Sequence, residues 1–507
     1  MKLQGIALLD EVESLLRMRD HQTHLELAQA LRARGFEVAP EQVDKALRRN
    51  PERFHGDRST LRHWHLVFDR RPAQVELSES NRAPRVLIDQ LPSLYPWQEE
   101  ALQRWSTAGR RGVIEAVTGA GKTLLGVRAA LEAAGTARPV LVLVPTTALL
   151  LQWQEQLWEA MPGVRVGLVG AGERDELRYK DIIVSTVQSA SRQQTELGVS
   201  SGGLLIGDEA HRYGAVTFGR ALMRGYDWRL GLTATYQRGD EANAKVLDPY
   251  FGGVCFRLGY ERALLEEAVA PFALELRGVT LDADSEAVYR KNVEIAARAR
   301  QHLIRRFGLP EQPFTSFLAA TVRLSQSPES PPGRAARSYL AAFKAYRTAL
   351  AEAPAKLEML RQLAPRVAAS SGAIAFTESI ASCESAADVL RQHGVLARAV
   401  HSELDHDERN ALLHQFGTKG LDCLVAPRIL DEGIDVPEAD LGIIIAASSS
   451  RRQMIQRMGR VIRRKADGRE ACFVILYARG TREDPAQGAH ETFLDEVLSV
   501  ARSVRSC

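Results

Sequence analysis

The chain has 507 residues, of which 45% are hydrophobic and 25% charged, a balance typical of a globular protein with three to four domains. It contains no run of about 20 apolar residues and its N-terminus is polar, which excludes a membrane span and a signal peptide and predicts a cytoplasmic protein. The net charge of +3 excludes a strongly basic protein, so nucleic-acid binding would need clustered charge. The five cysteines form no CxxC pair, which argues against zinc, iron–sulfur clusters and disulfides.

The first predicted elements, in residues 1–75, are three short helices and a small hairpin, an arrangement that resembles a winged helix. In such a module the third helix, here Pro40–Arg49, enters the major groove of DNA, and Lys45, Arg48 and Arg49 would contact phosphates. Many winged helices bind protein instead, and the basic cluster is equally compatible with solvated helix faces, so these alternatives stay open. Residues 76–89 are predicted to be a linker.

A phosphate-binding loop is predicted between a buried strand at 112–117 and a helix at 122–134. Glycines in the loop allow a tight turn that points successive N–H groups at an anion, and the helix N-terminus adds partial positive charge. Lys122 would reach the β- and γ-phosphates, and Thr123 would place its hydroxyl on Mg²⁺. The loop residues predicted to surround the nucleotide are Thr118, Gly119, Ala120 and Gly121. The motif departs from GxxxxGK[ST] because Ala116 replaces its first glycine.

An acidic box follows the apolar strand at 203–207 and reads Asp208-Glu209-Ala210-His211. A carboxylate at the carboxyl end of a parallel strand lies beside the phosphate loop at the switch point of an α/β sheet. Asp208 would therefore hold Mg²⁺, and Glu209 would polarise the attacking water. The two motifs together predict an ATP hydrolase that uses ATP and Mg²⁺.

Alternating strands and helices predict an α/β fold with two tandem RecA-like domains, each a parallel sheet covered by helices on both faces. The first is predicted at 90–255 and the second at 366–480, with a short tail at 481–507. Residues 256–365 are predicted to be a helical insertion between the two lobes, broken by a polar stretch at 325–333. Its role as a wedge, a grip on DNA or a spacer is left open.

Further segments, in order along the chain, resemble the motifs of a superfamily 2 helicase of the DEAD/DEAH type. The segment 94–101 resembles the one whose Gln reads the adenine edge, which maps to Gln98, although Tyr-Pro-Trp-Gln stands here where relatives often carry Arg-Pro-Tyr-Gln. The segments 142–153, 183–188, 232–235 and 374–377 resemble motifs Ia, Ib or Ic, III and IV. The resemblance implies contacts with nucleic acid at Pro145, Thr146, Thr186, Thr233, Thr235 and Thr377.

The later motifs of this family complete the predicted site. The segment 425–437 resembles motif V, and implies that Gly433 and Asp435 bind the nucleotide. The segment 453–463 resembles motif VI, whose two later arginines, here Arg460 and Arg463, face the γ-phosphate across a cleft. His211 and Gln456 join the catalytic set through the same resemblance.

Within the superfamily, the chain most resembles the xeroderma pigmentosum group B branch. This resemblance rests on three segments: the acidic box, the Gln456–Arg460 segment, and Arg238-Gly239-Asp240, where that branch carries Arg-Glu-Asp. It implies action on double-stranded DNA with 3′ to 5′ polarity.

The predicted function is therefore an ATP-dependent DNA helicase or translocase acting in DNA repair, restriction or phage defence, with DNA as partner and a possible role of the N-terminal domain in binding a protein. Two alternatives stay open. One is a nucleic-acid-stimulated ATPase switch that remodels a complex without unwinding, and the other is an RNA helicase.

Overall fold

The structure, a computed structural model, describes most of the chain from residue 93 onward and parts of the segment before it. The gaps after residue 93 are 162, 215, 237–242, 428–438, 446–453, 455–458, 460, 463–466, 490 and 507. Before it, the described residues are 8, 12, 22–33, 36, 39–48, 54–56 and 63–66. The chain divides into two units, Met1–Asn81 and Arg82–Cys507. No helix among the described residues is long and apolar enough to cross a membrane.

The N-terminal unit combines short helices with a small antiparallel sheet. Its helices are α1 (His24–Ala33) and α2 (Pro40–Arg48), and its strands are β1 (Gln22–Thr23), β2 (Phe54–Gly56) and β3 (His63–Leu66), in the order β1-β3-β2. Val43 and Leu47, one turn apart on α2, are buried, while Lys45 and Arg48 are exposed. Most of the predicted first helix, and Arg49, lie outside the described residues, so the winged-helix assignment stays a prediction.

The first lobe (residues 93–265) is built on an eight-stranded sheet in the order β11-β4-β10-β9-β5-β8-β6-β7. Its strands are β4 (Arg111–Ala116), β5 (Val140–Val144), β6 (Val166–Gly170), β7 (Glu173–Arg174), β8 (Ile182–Thr186), β9 (Gly203–Asp208), β10 (Tyr226–Thr233) and β11 (Val254–Leu258). All pairs are parallel except β6–β7. The central strands are almost continuously apolar, because helices cover both faces.

The helices of the first lobe complete the two outer layers. They are α3 (Pro96–Thr107), α4 (Lys122–Gly135), α5 (Thr147–Ala160), α6 (Val187–Arg192), α7 (Gln194–Leu197), α8 (Val216–Gly219), α9 (Asp248–Phe251) and α10 (Tyr260–Leu265). The strands β4, β10 and β9 are neighbours, so their carboxyl ends meet at one edge of the sheet. The phosphate loop and the acidic box both follow strands at this edge.

The second lobe (residues 271–279 and 354–507) is built on a seven-stranded parallel sheet in the order β14-β15-β13-β16-β17-β12-β18. Its strands are β12 (Phe272–Val279), β13 (Ala373–Phe376), β14 (Ala397–Ala399), β15 (Cys423–Ala426), β16 (Leu441–Ile444), β17 (Ala471–Ala478) and β18 (Ser503–Ser506). Its helices are α14 (Pro354–Ala369), α15 (Ile380–Gln392), α16 (His406–Gly417) and α17 (Glu491–Leu498). The prediction of two parallel-sheet RecA-like lobes is confirmed.

The helical insertion (residues 283–351) contains α11 (Ala283–Phe307), α12 (Phe314–Ser325) and α13 (Pro331–Ala351). Aromatic rings form its core, with Phe317 and Tyr339 edge to face at 5.1 Å between ring centroids. The predicted polar break at 325–333 falls between α12 and α13, where the Ser330 hydroxyl caps α13 by accepting from the Gly333 N–H.

The structure corrects three of the predicted domain boundaries. The strand β12 lies inside the range predicted as helical, yet it pairs with β17 in the second sheet, so the insertion interrupts the second lobe and does not separate the two lobes. The strand β11 pairs with β4 and extends the first lobe past residue 255. The strand β18, in the predicted tail, pairs with β12. Each of these pairings joins segments that are far apart in sequence.

Ion pairs and hydrogen bonds attach the insertion to the second lobe near the carboxyl ends of its strands. Arg347 on α13 pairs with Glu378, which follows β13, at 2.7 Å between Nη2 and Oε1. Within the second lobe, Lys356 on α14 is fully buried, and its Nζ donates to Glu483 Oε2 at 2.6 Å and to the carbonyl of Ile445 at 2.8 Å. The Arg347–Glu378 pair thus joins the insertion to this lobe, and the Lys356 bonds anchor α14, the helix that follows the insertion.

Candidate functional site

The connection from β4 to α4 has the geometry of an anion-binding loop. Gly119 and Gly121 have φ values of +84° and +91°, in the left-handed region that side chains disfavour. Gly121 stands at the position before α4 where a Ser or Asp would cap the helix, and as a glycine it has no side chain to do so. The first turn of α4 therefore has no side-chain cap, and the helix dipole favours an anion there.

Lys122 lies at the start of α4 with its ammonium group folded over the loop. Its Nζ donates to the carbonyl of Ala116 at 2.9 Å and to the carbonyl of Val117 at 3.2 Å. Burial lowers the pKa of Lys122, and the nearby carboxylates of Glu209 and Asp208 oppose that effect. Thr123 follows it in the first turn and is half-buried. The charge of Lys122 is thus held between the loop and the acidic box.

Gln98 braces the phosphate loop from the first turn of α3. Its side chain is fully buried, its Nε2 donates to the carbonyl of Gly121 at 3.0 Å, and its Oε1 accepts from the N–H of Tyr95 at 2.9 Å. A Cβ at Gly121 would lie 3.0 Å from the same Nε2, so the brace also needs glycine at that position. The predicted reading of the adenine edge by Gln98 stays a prediction.

Asp208 ends β9 with both carboxylate oxygens engaged. Oδ2 accepts from the indole N–H of Trp153 at 2.8 Å, and Oδ1 accepts from the backbone N–H of Glu209 at 3.0 Å. Burial, followed by the Glu209 carboxylate, raises the pKa of Asp208 to about 6 against the opposing effects of Trp153 and Lys122. Glu209 has a φ of +51°, so the chain turns sharply at the box.

A buried polar chain runs from the acidic box to the end of β10. His211 Nδ1 lies 2.9 Å from Thr233 Oγ1 and 3.4 Å from Glu209 Oε2. The Thr233 hydroxyl donates to the carbonyl of Thr235 at 3.1 Å and accepts from the Thr235 N–H at 3.2 Å. Thr233 and Thr235 are buried, and their hydrogen bonds connect the box to the segment after β10.

The other residues predicted to contact nucleic acid also follow parallel strands. Pro145 and Thr146 follow β5, Thr186 ends β8, and Thr377 follows β13. The Thr146 and Thr186 hydroxyls cap α5 and α6 by accepting from the N–H groups of Leu149 and Ser189, each at 3.3 Å.

Their exposure is low. Thr146 is half-buried, and Pro145, Thr186 and Thr377 are buried. Contact with a nucleic-acid strand at these positions stays a prediction.

The second lobe reaches the phosphate loop through the predicted motif VI. Gly459 is buried there, and a Cβ built on it would lie 1.9 Å from Thr118 Oγ1 and 2.0 Å from Thr118 Cβ. Val461 and Ile462 are buried in the same apolar cluster as Val117 and Ala120 of the loop. The remaining residues of the predicted site lie outside the described residues: Gly433, Asp435, Gln456, Arg460, Arg463 and the segment 238–240.

Two polar contacts at this edge of the sheet involve residues to which the sequence patterns assigned no role. Trp153 lies in the segment that resembles motif Ia, and its hydrogen bond to Asp208 joins positions 55 residues apart. Glu115 accepts from the N–H of Tyr236 and from Arg257 Nε, both at 2.9 Å, and so fixes the segment after β10. The spacing of Leu150, Trp153 and Leu157 places the tryptophan on the apolar face of α5, which is the signal for it in the sequence.

The site also fits the way proteins hold magnesium. Within the described ranges, no three His, Cys, Asp or Glu side chains cluster to enclose a metal ion. Mg²⁺ is usually held by one or two carboxylates together with substrate phosphates and water, without a full protein cage. A magnesium site at Asp208 and Thr123 needs no such cage and stays a prediction.

The chain is similar to known protein families and to individual proteins over much of its length. Residues 91–238 match the family described as type III restriction enzyme, res subunit, and residues 355–465 match the helicase conserved C-terminal domain. The DNA 3'-5' translocase XPB2 of Sulfurisphaera tokodaii is 28% identical over 421 residues, which are 82% of this chain and 88% of that protein. The DNA 3'-5' helicase XPB of Mycobacterium tuberculosis is 26% identical over 79% of this chain, and the chain spans only 64% of its length.

Solved structures share the fold at low identity. Dbp5 of S. cerevisiae, bound to RNA and ADP BeF3, gives a TM-score of 0.53 at 14% identity and covers 82% of this chain and 89% of its own. The type ISP restriction-modification enzyme LlaBIII, bound to DNA, gives a TM-score of 0.52 at 17% identity, over 82% of this chain and 31% of its own. These likenesses concern the fold alone.

Proposed function

Because this chain belongs to the superfamily 2 helicases, with an XPB-like sequence over most of its length, we propose that it is an ATP-dependent DNA helicase or translocase that moves 3′ to 5′. One observation carries the proposal. The uncapped glycine loop with Lys122 and the Asp208–Glu209 pair lie at one edge of a parallel sheet, and Gly459 of the second lobe packs against that loop. This is the arrangement of a motor whose nucleotide site lies between two lobes.

Each residue of the site has a role in phosphoryl transfer. Lys122 exchanges its two backbone carbonyl acceptors for the β- and γ-phosphates, and the N-terminus of α4 binds the same anion. Asp208 and Thr123 would hold Mg²⁺, which neutralises charge on the phosphates. Glu209 orients the attacking water, and its position is fixed by the hydrogen-bonded turn that links it to Asp208. Arg460 and Arg463 are proposed to stabilise the transition-state charge from the second lobe.

Hydrolysis is proposed to drive movement because ATP joins the lobes and its loss lets them part. The polar chain from His211 through Thr233 to Thr235 provides a route from the phosphates to the edge of the sheet. Backbone contacts at the ends of β5, β8 and β13 would carry the strand largely without sequence preference. The exposed Lys45 and Arg48 of α2 are proposed to add duplex contacts from the N-terminal domain.

The track is tested by a substrate panel with the full chain. ATPase rates are measured with single-stranded DNA, duplex DNA and RNA, followed by displacement of a strand from 3′- and 5′-tailed duplexes and of a third strand from a triplex. We expect stimulation by DNA and displacement from the 3′-tailed duplex or the triplex, with Lys122→Ala as the inactive control. Stimulation by RNA alone would overturn the DNA assignment. DNA stimulation without displacement from any substrate would favour the ATPase switch.

A further inference from the structure

Trp153 lies where three parts of the first lobe meet. It is fully buried on α5, two turns after Thr146, the predicted contact with the nucleic-acid strand. Its ring packs against α4, which begins at Lys122, and its indole N–H reaches the end of β9. One side chain therefore touches the helix of the strand contact, the helix of the phosphate loop and the carboxylate of the acidic box.

The contact with Asp208 fixes the orientation of that carboxylate. The indole N–H is a donor only, and at 2.8 Å from Oδ2 it makes a hydrogen bond of charge-assisted length. The N–H of Glu209 holds the other oxygen at 3.0 Å. With one donor on each oxygen, the carboxylate cannot rotate without breaking a buried hydrogen bond.

The Trp153 side chain fills the space between α5 and α4. A Cβ built on Gly126 would lie 2.3 Å from Trp153 Cη2 and 3.2 Å from Cζ2, so the indole fills the space that a side chain would occupy. Gly126 is one turn after Lys122 on α4. A shift of α5 along its axis would therefore move the indole against α4 and alter its hydrogen bond to Asp208 together.

We infer that Trp153 is a positioning residue, which sets the Asp208 carboxylate for Mg²⁺ and transmits movements of α5 into the magnesium site. The inference rests on the proposed function in that it requires binding of Mg²⁺ and ATP at this site. Hydrogen-bond partners of metal-ligating carboxylates affect metal affinity strongly, and their loss weakens it by about 10–100-fold. The indole N–H is the one part of Trp153 that this effect requires.

The test removes that N–H by a substitution that keeps an aromatic side chain, and a matched tryptophan accounts for the loss of ring volume. Trp153→Phe keeps an aromatic ring in the core and removes the donor, and Trp158→Phe makes the same change at a half-buried tryptophan on the same helix. Binding of a fluorescent ATP analogue is measured as a function of Mg²⁺ concentration. We expect Trp153→Phe to raise the half-saturating Mg²⁺ about tenfold or more, with binding in EDTA unchanged, and Trp158→Phe to match the unmodified protein.

A second variant tests the same position from the opposite side. Gly126→Ala places a methyl group where the indole lies, and we expect it to raise the half-saturating Mg²⁺ in the same direction. The measurement is repeated with saturating DNA. In the unmodified protein we expect DNA to change the half-saturating Mg²⁺, and in Trp153→Phe we expect that change to be lost.

The outcomes separate this inference from the proposed function. Equal Mg²⁺ dependence in Trp153→Phe and Trp158→Phe overturns the positioning role, and a DNA effect that persists in Trp153→Phe overturns the transmission. If the unmodified protein itself shows no Mg²⁺-dependent binding of the analogue, the proposed function fails instead.

Discussion

The two lobes each contain a parallel strand followed by a short connection and a helix, and they end that connection in opposite ways. In the first lobe, residues 117–121 join β4 to α4 and finish with Gly121, which has no side chain to cap the helix. In the second lobe, residues 377–379 join β13 to α15, and the Ser379 hydroxyl accepts from the N–H of Ser382 at 3.0 Å. The Ser382 hydroxyl in turn accepts from the N–H of Ser379 at 3.0 Å, which completes a capping box.

The start of α15 is therefore capped by its own sequence, whereas the start of α4 has no side-chain cap. Glu378, in the connection of the second lobe, carries a negative charge that Arg347 already neutralises. A phosphate would meet a capped helix and a carboxylate there, whereas in the first lobe it would meet a helix without a side-chain cap and Lys122. In the proposed mechanism the two lobes therefore have different roles, since the first would hold the nucleotide and the second would close over it.

The largest expected effect removes the cation of the first connection. Lys122→Ala should lower the ATPase rate by about 10³–10⁵-fold, by analogy with other cations that stabilise the transferring phosphoryl group. Circular dichroism should be unchanged, because in the described part of the chain Lys122 Nζ donates to two loop carbonyls and otherwise has electrostatic contacts with the acidic box. Near-normal turnover in this variant would mean that the nucleotide binds elsewhere.

A lysine of the second lobe provides the structural counterpart. Lys356 is fully buried and bonds to Glu483 and to the carbonyl of Ile445, so Lys356→Ala leaves a buried carboxylate without its partner. We expect the free energy of unfolding to fall by about 3–5 kcal/mol, measured by chemical denaturation. Arg298→Ala, which breaks an exposed pair with Glu294 on α11, should have an effect close to the measurement error. Equal effects of the two variants would show that Lys356 is not a structural anchor.

The acidic box should make the nucleotide-free protein less stable as pH rises. Asp208 has a pKa raised to about 6 by burial and by Glu209, compared with about 3.9 in an unfolded chain. Folding favours its protonated form, so its stabilising contribution is complete below pH 4 and is lost as pH rises through about 6. Asparagine offers one acceptor oxygen for the two N–H donors at this position, so the change with pH is the informative quantity. The free energy of unfolding of Asp208→Asn, relative to that of the unmodified protein, should rise by about 1–2 kcal/mol from pH 5 to pH 8.

Thermal unfolding of both proteins at the two pH values checks this, with the exposed Asp388→Asn as control. The same substitution should abolish Mg²⁺-dependent hydrolysis. A gain in stability that does not depend on pH would show that the buried charge is not its cause.

The smallest expected effect removes the cap of the second connection. Ser379→Ala should lower the free energy of unfolding by about 1 kcal/mol, the usual cost of an N-cap, and should leave ATP affinity unchanged. Denaturation and nucleotide titration of the same preparation measure both. Loss of ATP affinity in this variant would contradict the division of work between the two helix starts.

The parts of the site that the sequence predicts are those encoded within a few residues. The glycines of the loop, Lys122 and the carboxylates after β9 are local signals with a physical reason, and the structure has them at one edge of the sheet. The alternation of strands and helices likewise predicts two parallel sheets, because buried parallel strands are apolar along their whole length.

The features that the sequence misses depend on distant partners. The strand β12 pairs Phe272 with Ala471, and its neighbours in sequence are helical, so a local pattern assigns it to the insertion. The strand β18 is exposed and polar, and only its pairing with β12 makes it a strand. The hydrogen bond from Trp153 to Asp208 is of the same kind, since a single chain carries no sign of which buried carboxylate a tryptophan will meet.

The close packing of Gly459 on Thr118 makes the phosphate loop sensitive to the distance between the two lobes. With no side chain at 459, backbone from the second lobe rests directly on the loop that receives the phosphates, and even a methyl group would overlap it. Entry and departure of a nucleotide then depend on how often this contact opens, so exchange would be gated by the interface and slower than diffusion to an open pocket. The rate of nucleotide exchange would then be set by the rate at which the two lobes separate.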